Sequence, residues 1–94
     1  MTKNEIAVEV KVEGSYPPGY ETVKLPAAAS LNTLLQELKS SDHRFSEYLF
    51  IPKTGKPAVG LALVNDVSVN WINFEKTTLA DGDRVFFILP VSGG

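Results

Sequence analysis

The chain has 94 residues, 44% of them hydrophobic and 21% charged, with a formal charge of −2 at pH 7 and no cysteine. That is one domain, long enough to close a core without staples. The missing thiols exclude disulfides, thiolate metal sites and a cysteine nucleophile, and the acidic balance argues against nucleic acid as the main partner. No apolar run approaches the roughly 20 residues of a membrane helix. Met1–Glu5 has no apolar signal region behind its charge, which points to the cytoplasm.

Ile6, Val8, Val10 and Val12 alternate with Ala7, Glu9, Lys11 and Glu13. A period of two predicts a half-buried strand. The segment 14–19 (Gly-Ser-Tyr-Pro-Pro-Gly) is rich in turn formers, and Tyr20 to Leu25 reads as the antiparallel partner, ended by Pro26. Ser30 is placed to cap a helix running to about Ser40, with Leu31, Leu34, Leu35 and Leu38 on one face. Asp42 is expected to cap a second, short helix carrying Phe45, Tyr48 and Leu49.

Residues 52–57 read as an exposed loop. Val59 to Val64 is expected to be a buried strand ending in an Asn65-Asp66 turn, with Val67 to Val69 resuming after it. Residues 70–78 are the least legible: Trp71, Ile72 and Phe74 suggest a short strand or a covering loop. Asp81-Gly82 signals a tight turn, and Val85 to Leu89 is the last strand. The order strand, strand, helix, strands predicts an α+β layer: a mixed sheet packed against one main helix, with the first and last strands parallel at its centre. This is the β-grasp arrangement, expected over residues 1–89, with 90–94 as a flexible tail.

The catalytic inventory is thin. His43 is the single histidine, and a lone histidine at a helix start reads as a surface residue, because a base needs a positioned partner. Asp81 and Asp83 read as turn chemistry rather than a carboxylate dyad. The chain is not expected to be an enzyme alone, nor to bind a metal or cofactor itself. More informative is the last strand, where Val85, Phe87 and Leu89 share one face while Arg84, Phe86 and Ile88 share the other. One face meets the helix. On the other, Phe86 and Ile88 are either covered by the loop bearing Trp71 and Phe74 or form a docking patch. Behind them the chain closes in Pro90, Val91, Ser92, Gly93 and Gly94. Two glycines can thread a channel too narrow for any side chain and deliver a carboxylate to another enzyme.

Val64-Asn65-Asp66, the run Leu79 to Phe87 around Asp81-Gly82-Asp83, and the end Pro90-Val91-Ser92-Gly93-Gly94 together resemble the MoaD/ThiS-type ubiquitin-like sulfur carriers, most of all the MoaD branch. The likeness is specific over about the last 30 residues and architectural before them. Leu89 stands where the family often has a proline, the outward positions of the first strand are charged rather than aromatic, and 70–78 is longer than the family turn. The resemblance implies that the Gly94 carboxylate is adenylated by a ubiquitin-activating-class enzyme using ATP and magnesium, then converted to a thiocarboxylate. Phe86, Ile88, Pro90, Val91 and Ser92 would dock the partners. The implied acceptor is the large subunit of molybdopterin synthase. Modification of protein lysines, tRNA thiolation and a thiamine-like pathway are the alternatives.

Overall fold

The computed structural model describes residues 4–89. Strand β1, Glu5–Val12, buries Val8, Val10 and Val12, and β2, Glu21–Pro26, buries Val23 and Leu25. They pair antiparallel, with Val8 opposite Val23 and Ile6 opposite Leu25, so the apolar sets of both strands point to one side. The second strand starts one residue later than expected and takes in Pro26, which an edge strand tolerates because its free N–H side faces no partner.

Helix α1 spans Leu31–Ser40, as its leucine spacing predicts, and buries Leu31, Leu34, Leu35 and Leu38. Ser30 Oγ accepts from Thr33 N at 3.2 Å, satisfying one of the orphan amides of the first turn. At the other end Ser41 N and Oγ both donate to Glu37 O, and Asp42 turns left-handed at φ +56°. Asp42 therefore terminates the first helix and does not cap the second. The short helix α2, Ser46–Leu49, has no side-chain cap. The amide just ahead of it, Phe45 N, donates instead to His43 Nδ1 at 3.1 Å. Phe45 and Leu49 are fully buried.

Strands β3, Leu61–Val64, and β4, Val67–Asn70, form a hairpin closed by Asn65 and Asp66. Both turn residues have positive φ, 51° and 72°, the backbone of a type I′ turn whose twist suits the strands. Val59 is buried but lies ahead of the strand, which begins two residues later than expected. Residues 71–73 are a 3₁₀ turn rather than a strand, capped by Asn70 Oδ1 accepting from Ile72 N at 3.2 Å. Phe74 then drops into the core, its ring edge-on to Phe87 at 6.2 Å.

Strand β5, Arg84–Ile88, is the middle of a five-stranded sheet of order β2-β1-β5-β3-β4. It runs parallel to β1 (Val10 opposite Val85) and antiparallel to β3 (Ala62 opposite Phe87). The parallel central pair is the one the sequence order predicts. The leucine face of α1, with Phe45, Leu49, Phe50, Val59, Phe74 and Leu79, joins the inward residues of the sheet in one continuous core. The architecture is a mixed sheet with a helix, the β-grasp.

Candidate functional site

The residues that differ most in environment are neighbours on β5. Val85 and Phe87 are completely buried against the helix layer, whereas Phe86 and Ile88 are half-buried on the opposite face. The strand register gives them apolar company: Phe86 lies opposite Leu63 of β3, and Ile88 opposite Leu61. Directly opposed side chains on one face are in contact range, so the four form one apolar block across β5 and β3.

Trp71 and Phe74 do not cover this block. Phe74 packs on Phe87, on the helix side. Trp71 and Ile72, each about three-fifths exposed, line a groove of about 580 Å³ with Leu35, Val59 and Phe74, also on the helix side. Of the two explanations for an apolar outer face, cover by the loop bearing Trp71 and Phe74 is therefore excluded; Phe86 and Ile88 are left half-buried there.

At its starting end the patch meets a group of cations and a ring. Lys11 Nζ lies 5.3 Å from the Phe86 ring centre and 5.7 Å from that of Tyr20. The Arg84 guanidinium sits 5.1 Å from the same Tyr20 ring. A depression of about 270 Å³ is lined here by Tyr20, Leu63, Asn65, Asp66, Arg84 and Phe86 among others. The sequence reading did not single out Lys11 or Tyr20. They meet Arg84 only because β1 and β5 pair across a separation of more than seventy residues, which no local pattern encodes.

The start of β5 is held by the Asp81-Gly82-Asp83 turn. Asp81 Oδ1 accepts from Ala7 N at 2.8 Å, and Gly82 N donates to Ala7 O at 2.8 Å. Gly82 has φ +87°, a conformation a side chain would strain. Asp83 accepts from Ala80 N at 2.8 Å and from Asn65 Nδ2 at 2.9 Å, while Asn65 Oδ1 accepts from Arg84 N at 3.0 Å. Both carboxylates are thus engaged in fixing β5 against β1 and the β3–β4 turn, as the turn reading expects. At the far end Leu89 packs on the core and its N–H donates to Glu13 Oε1 at 3.3 Å.

His43 is also structural. Its Nε2 lies 3.1 Å from Glu21 Oε1, its Nδ1 takes the Phe45 amide, and Arg44 binds the other oxygen of Glu21 and donates to Pro17 O at 3.1 Å. The pair His43–Arg44 ties the helical layer to the β1–β2 hairpin. Among the described residues there is no group of three His, Asp or Glu able to hold a metal ion. No helix there is long and apolar enough to cross a membrane. Pro90, Val91, Ser92, Gly93 and Gly94, the expected tail, lie outside the described residues.

A five-stranded mixed sheet with parallel central strands and a helix across one face is the β-grasp fold of ubiquitin-like proteins. Solved structures of similar shape agree. The HVO 2177 protein of Haloferax volcanii matches with a TM-score of 0.69 at 22% identity, over 100% of this chain and 92% of its own. SAMP1 of Haloferax volcanii matches with a TM-score of 0.67 at 19% identity, over 94% and 99%. Urm1 of Trypanosoma brucei matches with a TM-score of 0.59 at 26% identity, over 99% and 100%. Among curated protein sequences none matches the chain. The model of the ThiS family matches residues 10–94, and the chain belongs to that family of ubiquitin-like sulfur carriers.

Proposed function

We propose that this protein is a sulfur carrier whose Gly94 carboxylate is the reacting group, with the β-grasp domain as its handle. The observation that carries the reading is the placement of β5. The central strand of a ThiS-family sheet presents Phe86 and Ile88 outward and runs directly into the Pro90–Gly94 segment. No catalytic set competes with it among the described residues.

Family membership implies an activating enzyme of the ubiquitin-activating class. On that enzyme a Gly94 carboxylate oxygen attacks the α-phosphorus of ATP. The α–β phosphoanhydride bond breaks, pyrophosphate leaves, and an acyl-adenylate remains. Magnesium and cations of the enzyme offset the charge that develops. A persulfide then attacks the carbonyl and AMP departs. A second thiol reduces the acyl disulfide, releasing the thiocarboxylate. Gly93 and Gly94 leave the carbonyl open to attack from either side. Pro90 lacks an amide donor and cannot donate to a neighbouring strand. Val91 and Ser92 fall in sequence between Ile88 and the reacting group, and would contact the channel wall of the activating enzyme.

The proposed acceptor is a pterin precursor on the large subunit of molybdopterin synthase. The Pro-Val-Ser-Gly-Gly end and the long middle segment, which folds here into α2 and the approach to β3, support this branch over the shorter thiamine-type carriers. The same activated carbonyl would also acylate a lysine, which would make the chain a protein modifier. Intact-mass spectrometry after incubation with ATP, a sulfur donor and the activating enzyme tests the reading: one oxygen is replaced by sulfur in the wild-type chain. Gly94→Ala abolishes that product while the melting temperature is unchanged. Adenylation of Gly94→Ala at the wild-type rate refutes the proposal. A ladder of higher-mass adducts with no thiocarboxylate favours the modifier.

A further inference from the structure

The two edges of the sheet are finished differently. Strand β2 carries Glu21, Lys24 and Pro26, the charges and the proline that normally keep an edge from pairing with another chain. Strand β4, Val-Ser-Val-Asn over 67–70, has neither, and among the described residues no strand pairs with its outer side. Val67 is 65% exposed, and Trp71, which follows the strand, is 61% exposed. Exposed apolar residues beside open backbone groups make an edge ready to accept a strand.

The alternation of the ladder shows which backbone groups are open. Trp71 N–H donates to Gly60 O at 3.0 Å. Bonded pairs recur at every second residue of an antiparallel ladder, so Val69 and Val67 also bond inward, to Ala62 and Val64. The N–H and C=O groups of Ser68 and Asn70 therefore point outward. The side chains alternate as well. Val69 packs on the core and lies opposite buried Ala62, which puts Val67 and Val69 on the helix side, where Trp71 lines its groove.

This pattern is complementary to itself. With a second copy laid antiparallel and Val69 opposite Val69, Ser68 of each copy meets Asn70 of the other, and each such pair exchanges both of its backbone bonds. Val69 meets its image at a non-bonded position, with Cα atoms about 4.5 Å apart and the side chains at their closest. Val67 falls opposite Trp71 of the other copy, a favourable cross-strand pairing of a β-branched residue with an aromatic one. No residue of β4 is charged, so no charge meets its own image. A slip of one residue brings outward groups against inward ones and loses the bonds.

We infer that β4 is a self-pairing edge, through which two copies join their five-stranded sheets into one across a twofold axis at Val69. A second copy fits better than a foreign strand because residues 67–71 supply both halves of every contact. The blunted β2 edge stops growth at two copies. The strip is far shorter than the roughly 20–30 residues a side of a standard interface, so the dimer is weak and reversible. Strand β3 stands between the junction and β5, and the inference does not depend on the carrier reading.

The test is sedimentation equilibrium of the full chain from about 10 µM to about 1 mM, a range that brackets a weak affinity. The mean mass is expected to climb from that of one chain toward that of two. Emission from Trp71, the single tryptophan, is expected to shift to the blue over the same range as Val67 of the other copy covers it. Asn70→Pro is the decisive variant. Asn70 already has φ −75°, which proline adopts, and the donor removed is its outward amide. Each dimer loses that bond twice, so the dissociation constant should rise at least about tenfold. Asn70→Ala also loses the side-chain bond from Ile72 N but keeps the backbone amide, and should dimerise within about threefold of the wild type. Val67→Glu changes an exposed side chain and supplies a second disruption, with the same expected loss, should the proline variant not fold. A wild type that stays at the mass of one chain at every concentration overturns the inference and leaves the edge to a strand of another protein. So does a dimer that Asn70→Pro and Val67→Glu leave intact, or one that Asn70→Ala weakens as much as Asn70→Pro.

Discussion

Adjacent phenylalanines on β5 should separate stability from recognition. Phe87 is completely buried and meets Phe74 edge-on, while Phe86 is half-buried on the outer face. Replacing a buried phenylalanine by alanine removes its transfer energy and leaves a cavity, at a cost of about 3–5 kcal/mol. In a domain of this size each kcal/mol lowers the melting temperature by about 4–8 °C, so Phe87→Ala loses about 12 °C at the least. Full burial of such a side chain is worth about 1.5–3 kcal/mol, so half-burial sets the loss in Phe86→Ala below about 1.5 kcal/mol. Urea denaturation followed by circular dichroism measures both. Pyrophosphate exchange with the activating enzyme should then rank them the other way: folded Phe86→Ala is expected to show a KM raised at least tenfold, about 1.4 kcal/mol of lost contact. The assignment of faces is wrong if Phe86→Ala destabilises as much as Phe87→Ala. The docking role is wrong if Phe86→Ala binds like the wild type.

Two further outcomes follow from the turns. Asn65 combines a left-handed backbone with hydrogen bonds to Asp83 and from the Arg84 amide, so Asn65→Ala should cost about 2–3 kcal/mol in urea, and Asn65→Gly should recover about 1 of these by relieving the backbone. Ser15 is buried with its hydroxyl unpartnered among the described residues, so Ser15→Ala should raise the denaturation midpoint or leave it unchanged; a loss above about 1 kcal/mol would mean that the hydroxyl has a partner.

The elements that the sequence predicts well are those whose pattern is local. The alternation of Val8, Val10 and Val12 and the leucine spacing of α1 each bury one face, and burial is what keeps them. The Asn65-Asp66 turn is readable because few residues tolerate two successive positive φ angles. Asp42 is the instructive miss. An aspartate between two helical patterns suits either a cap or a left-handed stop, and the choice depends on where α2 packs, which is a matter of burying Phe45 and Leu49. Residues 71–73 form a turn for a related reason: Phe74 must reach the core beneath Phe87, and the chain shortens to put it there.

The sequence by itself determined the β-grasp order and raised the expectation that chemistry lies at Gly94. These follow from residue types and their periods. Only the tertiary structure decided that the loop bearing Trp71 and Phe74 does not cover the outer face of β5, since that depends on which side of the sheet those residues fall. It alone brought Lys11, Tyr20 and Arg84 together, because strand pairing joins residues that nothing along the chain connects.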